Sequence, residues 1–123
     1  MNADYAKALP PEWKQFARFF SALGDPSRQK ILLIFEAGEE LCVNEIATLF
    51  ELSRPAISHH LKVLREAELL VCQKRGKEVF YSVNYPYCAD VLRVAHDFVA
   101  CRNARPSATI AAPGRAQDAD EQA

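Results

Sequence analysis

The densest run of chemically capable residues lies between Ser53 and Lys77. It holds six basic side chains, Arg54, Lys62, Arg65, Lys74, Arg75 and Lys77, against two acidic ones, Glu66 and Glu68. The whole chain has a net charge of -1, so the remainder is acidic. A basic surface on an acidic body orients a protein on a polyanion such as duplex DNA. Ser58 and His59 add short polar groups inside the same run, of the kind that hydrogen-bond base edges in the major groove. Arg54 and Arg65 can reach phosphates, which fixes position without reading sequence.

The four cysteines, Cys42, Cys72, Cys88 and Cys101, are the other reactive groups. None forms a C-x-x-C pair, so ligand spacing for a zinc finger is missing. Reduced thiols are expected, as suits a cytoplasmic chain. Cys42 stands where a helix N-cap is expected, with Glu45 three residues on, as in a capping box. A thiol there feels the helix dipole, which favours thiolate, while Glu45 opposes it. Cys88 and Cys101 are thirteen residues apart, about 20 Å along one helix, too far for an intrasubunit bond. The plain alternative is a weak structural cap at Cys42 and buried spectator thiols at Cys88 and Cys101.

These groups need elements to position them. Pro10 and Pro11 can open a first helix, on which Trp13, Phe16, Ala17, Phe20 and Leu23 recur at three- and four-residue steps. Gly24 ends it. Asp25 and Pro26 then start a second helix as N-cap and N1, with Ile31, Leu32, Ile34 and Phe35 as its apolar residues and Gly38 closing it. A third helix is predicted from about Val43 to Phe50, with Ile46, Ala47 and Phe50 inward. Ser53 caps a fourth, from Arg54 to about Ala67, whose Ile57, Leu61 and Leu64 fall on one face.

At about 100° per residue, burying those three puts Pro55, His59 and Lys62 at the centre of the opposite face, flanked by Ala56 and Ser58. Small residues near the helix N-terminus permit close approach to a groove. His60 lies at the buried edge, where a structural hydrogen bond is expected of it. After Leu69 the period changes to two. Val71 and Gln73, then Val79, Tyr81 and Val83, alternate around Lys74-Arg75-Gly76-Lys77, a hairpin with glycine in its turn. A last helix is predicted from near Pro86 to about Cys101. The fold class is therefore mainly α with a β-hairpin wing: four helices, a hairpin and a fifth helix, a winged helix-turn-helix. Residues 1–9 are expected to form an N-terminal arm, 10–103 the DNA-binding and dimerisation domain, and 104–123 a flexible tail.

With the motifs placed, the chain resembles the ArsR/SmtB family of bacterial repressors. The likeness rests on Ala22-Leu23-Gly24-Asp25-Pro26-Ser27-Arg28, on Leu41-Cys42-Val43-Asn44-Glu45-Ile46-Ala47, on the stretch from Leu52 to Arg65 with its Ser58-His59-His60-Leu61-Lys62 core, and on Arg75-Gly76-Lys77. It implies a homodimer built on the first and last helices, and a repressor released from its operator by an inducer. The stripes Trp13, Phe16, Phe20 and Leu92, Ala95, Phe98, Val99 suit such an interface, since so small a domain buries neither fully. A twofold dimer would read a near-palindromic operator in double-stranded DNA.

The inducer is less legible. Arsenic-sensing members carry Cys-Val-Cys where this chain has Cys42-Val43-Asn44, so one soft ligand of the pair is missing. The positions matching the zinc site of other members hold Tyr85, Tyr87, Phe98 and Cys101, mostly poor zinc ligands. A metalloid, soft metal or oxidant acting on Cys42, Cys88 or Cys101 remains one expectation. A regulator without a small ligand, controlled by its expression or a protein partner, is the alternative. A winged-helix module used only for protein contacts is the third. No stretch approaches the roughly 20 apolar residues of a membrane span, and the first residues lack the pattern of a signal peptide. No Gly-rich phosphate loop, G-x-S-x-G or H-E-x-x-H is present, so an enzyme is not expected.

Overall fold

The computed structural model describes residues 1–102; the tail expected over 104–123 lies outside them. Two compact units divide the chain, Met1–Val91 and a second beginning at Leu92. In the first, a single 3-10 turn, Ala3–Ala6, precedes helix α1, Pro11–Leu23. Pro11 occupies the first turn, where its missing N–H costs nothing. The buried face of α1 is Phe16, Phe19 and Ala22, rotated from the expected stripe. Phe19 is the pivot of this difference: its ring stands edge-on to Phe20 at 5.3 Å and to Tyr87 at 6.0 Å. Phe20 and Ala17 are left on the surface.

Helix α2, Pro26–Ile34, follows at once. Asp25 caps it as expected, its Oδ1 accepting the N–H groups of Ser27 at 2.8 Å and Arg28 at 3.2 Å. The helix stops at Ile34 rather than at Gly38, because Phe35 turns extended and buries its ring. Gly38 instead serves the following turn at φ +77. A strand the sequence does not announce, β1 (Leu41–Cys42), leads into α3 (Val43–Ala47). The expected third helix was three residues longer; residues 48–50 form tight turns, with Leu49 N–H donating to Ile46 O at 3.0 Å.

Helix α4, Arg54–Glu66, is capped by Ser53, whose Oγ accepts the Ala56 N–H at 3.2 Å. Ile57, Leu61 and Leu64 are each 0% exposed, so its apolar face is the one read from the sequence. The helix ends in a Schellman-type cap. Leu69 N–H reaches Leu64 O and Glu68 N–H reaches Arg65 O, both at 3.0 Å. Leu69 and Leu64 are both fully buried there. Glu68 holds the left-handed position at φ 68, where glycine is unstrained and other residues cost about 1–2 kcal/mol. Glu68→Gly is therefore expected to raise stability by roughly 0.5–1 kcal/mol, part of the relief being offset by glycine's greater unfolded entropy. Urea denaturation checks this; a loss of stability would mean the Glu68 side chain contributes more than its backbone costs.

Strands β2 (Leu70–Arg75) and β3 (Glu78–Val83) form the expected hairpin in antiparallel register, Arg75 opposite Glu78. Gly76 takes φ +63 in its two-residue turn, which a side chain would resist. β1 adds to the far edge of β3, Leu41 opposite Tyr81 and Cys42 opposite Phe80, giving the sheet order β1-β3-β2. Helix α5, Tyr85–Arg102, begins with the Asn84 carbonyl accepting the Cys88 N–H at 3.0 Å and Val91 buried. In the second unit, Arg102 lies over the Phe98 ring at 4.4 Å, and Leu92 and Val99 are exposed. No helix among the described residues is long and apolar enough to cross a membrane.

Candidate nucleic-acid interface

With Ile57, Leu61 and Leu64 sealed inside, α4 turns a polar face outward. Arg54, Pro55, Ser58, His59, Lys62 and Arg65 are all exposed, and Ala56 is half-buried at the rim. None of these side chains plugs the protomer core. Ser53 is exposed too, but its hydroxyl is committed to the cap. On the wing, Lys74, Arg75 and Lys77 are exposed. A cleft of about 270 Å³ separates the wing turn from the starts of α3 and α4, and Asn44, Arg54, Lys77 and Glu78 line it. Asn44 was noted in the sequence only as the place of a missing thiolate, not as part of this surface. Its position one residue into the helix that follows Cys42 is the only signal that could have marked it.

Arg75 differs from its neighbours in being held. Its guanidinium meets Glu40 at 2.8 Å, donates to Gln73 Oε1 at 3.0 Å and stands 5.1 Å from the centre of the Phe80 ring. A phosphate must compete with Glu40 for it. The pair is exposed, so it holds no more than about 1 kcal/mol. Glu40→Gln frees the guanidinium and removes a negative charge from the wing. It is expected to tighten binding to any duplex by up to about fivefold at low salt. A titration showing weaker binding would mean that Glu40 orients Arg75 for DNA rather than withholding it.

His60 makes the structural hydrogen bond expected of it, Nδ1 standing 3.3 Å from Arg28 Nη1. Phe16, expected at a subunit interface, is instead only 5% exposed, part of the protomer core. It packs with Trp13, ring centres 5.7 Å apart, on the face turned inward with Phe19. Trp13 is half-buried, whereas Phe20, Leu92, Phe98 and Val99 keep exposed apolar surface and Ala95 is half-buried.

The thiols differ in exposure. Cys42 is buried, and Glu45 Oε1 accepts its N–H at 3.0 Å, the carboxylate half of the expected capping box. Cys88 is half-buried, and burial pushes its thiol above the ordinary range, away from thiolate. Cys72 and Cys101 are exposed. Among the described residues no three His, Cys, Asp or Glu side chains gather as a metal site would need, so one protomer offers a metal no fitting donor set.

Two short helices crossing at a turn, the second exposing a polar face beside a basic hairpin, define a winged helix-turn-helix DNA-binding protein. Comparison with known proteins places it further. The model of the bacterial regulatory protein, arsR family, matches residues 25–70. The chain is 35% identical over 80 residues to the transcriptional repressor SdpR of Bacillus subtilis, covering 65% of this chain and 88% of that one. It is 31% identical over 97 residues to the arsenical resistance operon repressor of Staphylococcus xylosus, covering 74% and 92%. An ArsR-like transcriptional regulator from Rhodococcus sp. RHA1 superposes with a TM-score of 0.69 at 26% identity, over 76% of this chain and 87% of that one. The chain belongs to the ArsR family of bacterial regulatory proteins. It is a DNA-binding transcriptional repressor of that family and not an enzyme.

Proposed function

We propose that two copies of this chain pair and hold a near-palindromic duplex, with α4 of each copy in a major groove and each wing against the flanking backbone. Ser58 and His59 read base edges. Arg54, Lys62, Arg65, Lys74, Arg75 and Lys77 hold phosphates. The observation that carries this reading is the division of α4 into a fully buried apolar face and an exposed face of small, polar and basic residues. Pairing is supported by exposed apolar side chains, Phe20 on α1 and, separately, Leu92, Phe98 and Val99 on the last part of α5. Such surface is what a second copy covers.

Release by a thiol-directed inducer, such as a metalloid, soft metal or oxidant, is the finer part of the proposal. A site built across two subunits, Cys88 of one with Cys101 of the other, is the arrangement that suits it, because the thiols within one protomer do not gather. A second reading, regulation without a small ligand, is favoured by the burial of Cys42 and the raised thiol of Cys88.

The test begins by selecting a duplex from a random pool with the purified protein and sizing the complex by light scattering. Affinity for that duplex and for a scrambled one is then titrated at two salt concentrations. Two copies per duplex, a preference for the selected sequence and a steep salt dependence are expected. One copy per duplex with no preference would dismiss the reading. Repeating the titration with arsenite, copper(I), polysulfide and peroxide separates the two forms of regulation. A response that survives replacement of all four cysteines by serine would end the thiol proposal.

A further inference from the structure

The apolar packing of α4 sets which face turns inward, but it holds the rotation of the helix about its own axis less sharply than a directional contact does. Ile57, Leu61 and Leu64 are held by contacts that oppose withdrawal but are not directional. A hydrogen bond is directional, and the polar contact from the inner edge of α4 that links it to other helices runs from His60 to Arg28. Arg28 is itself closely held, its side chain 14% exposed. Its Nε donates to Ala22 O at 2.8 Å and its Nη2 to Ser21 O at 3.4 Å, two carbonyls in the last turn of α1. Its Nη1 lies 3.8 Å from Asp25 Oδ2, the carboxylate that caps α2. The remaining direction of the fork is spent on His60 Nδ1 at 3.3 Å.

We infer that Arg28 and His60 are positioning residues for DNA recognition: the guanidinium, fixed to α1 and α2, sets the rotation of α4 through His60 and so aims Ser58 and His59 at the bases. A guanidinium only donates, so Nδ1 of His60 is the acceptor and its proton sits on Nε2. The planar fork matters as much as the charge, because lysine supplies neither the several donors nor their fixed angles. His59 and His60 are adjacent, yet they divide the work: one faces the groove and the other holds the helix that carries it. This rests on the proposed groove-facing role of α4.

The test compares His60→Leu, which removes the acceptor, with His60→Asn, whose Oδ1 restores an acceptor near the place of Nδ1. Each is titrated against the selected and the scrambled duplex, with thermal unfolding followed in parallel. His60→Leu is expected to lose about tenfold in affinity for the selected duplex, the size of one lost base contact, and less than about twofold for the scrambled one. His60→Asn is expected to recover most of that loss, and Arg28→Lys to reproduce the Leu pattern. In the wild type, nitrogen NMR shifts should place the His60 proton on Nε2. Full sequence preference in His60→Leu, equal losses in the Asn and Leu variants, or equal loss on both duplexes with a lowered melting temperature would each overturn the inference. If Ser58→Ala and His59→Ala still lose preference in that event, the groove reading stands without it. A wild type with no preference at all would remove both.

Discussion

Leu61→Ala is expected to lower the stability of the domain by about 2–5 kcal/mol, the range for deleting a fully enclosed leucine side chain. Leu61 is 0% exposed on α4, and α4 packs against α1, α2, α3 and β2. A cavity there opens inside the core, where the surrounding structure relaxes only partially. Domains of this size are stable by only about 5–15 kcal/mol, so the substitution can consume most of the margin. Thermal unfolding should show a midpoint lower by about 8–40 °C, at 4–8 °C per kcal/mol. Leu33→Ala, at a position 82% exposed, is the matching control and should stay within about 0.5 kcal/mol. If the two leucine variants melted together, Leu61 would not be the keystone its burial implies.

The second large effect is on DNA, and its sign separates holding from reading. Lys62→Ala removes a side chain proposed to hold a phosphate. It should weaken binding to selected and scrambled duplexes by the same factor and reduce the slope of log affinity against log salt by about 1. His59→Ala should instead cost about 1–3 kcal/mol on the selected duplex, some 5- to 150-fold, with little change on the scrambled one. Ser58→Ala should follow His59 rather than Lys62. All three side chains are exposed, so the folded protein should survive each change, and circular dichroism can verify it. Equal losses on both duplexes for all three would contradict the assignment of α4 to a groove.

The contrast between those two experiments follows from how α4 was legible. Its three buried residues repeat at the helical period, Ser53 announces its start, and the opposite face follows by rotation alone. The same local logic gave Asp25 and Pro26 as the start of α2, and Gly76 as the turn residue of the wing. α1 was less clear. Its sequence offers Phe16, Phe19 and Phe20 together, and an aromatic cluster satisfies more than one helical face. In the folded chain Phe19 is the one buried, its ring edge-on to Tyr87, and Phe20 is left exposed. β1 was not legible because two residues carry no period; it exists because β3 offers an edge, with Leu41 opposite Tyr81.

By itself the sequence determined which helix exposes a basic and polar face, where its N-cap lies and that a basic hairpin follows. Each of these depends on residues a few positions apart, and 3.6-residue or two-residue periods register them directly. Tertiary structure alone decided what holds α4 and what holds the wing. Arg28 meets His60 across 32 positions of chain, and Arg75 meets Glu40 across 35. A single sequence has no period of that length, so such partners become visible only when packing brings the distant segments together.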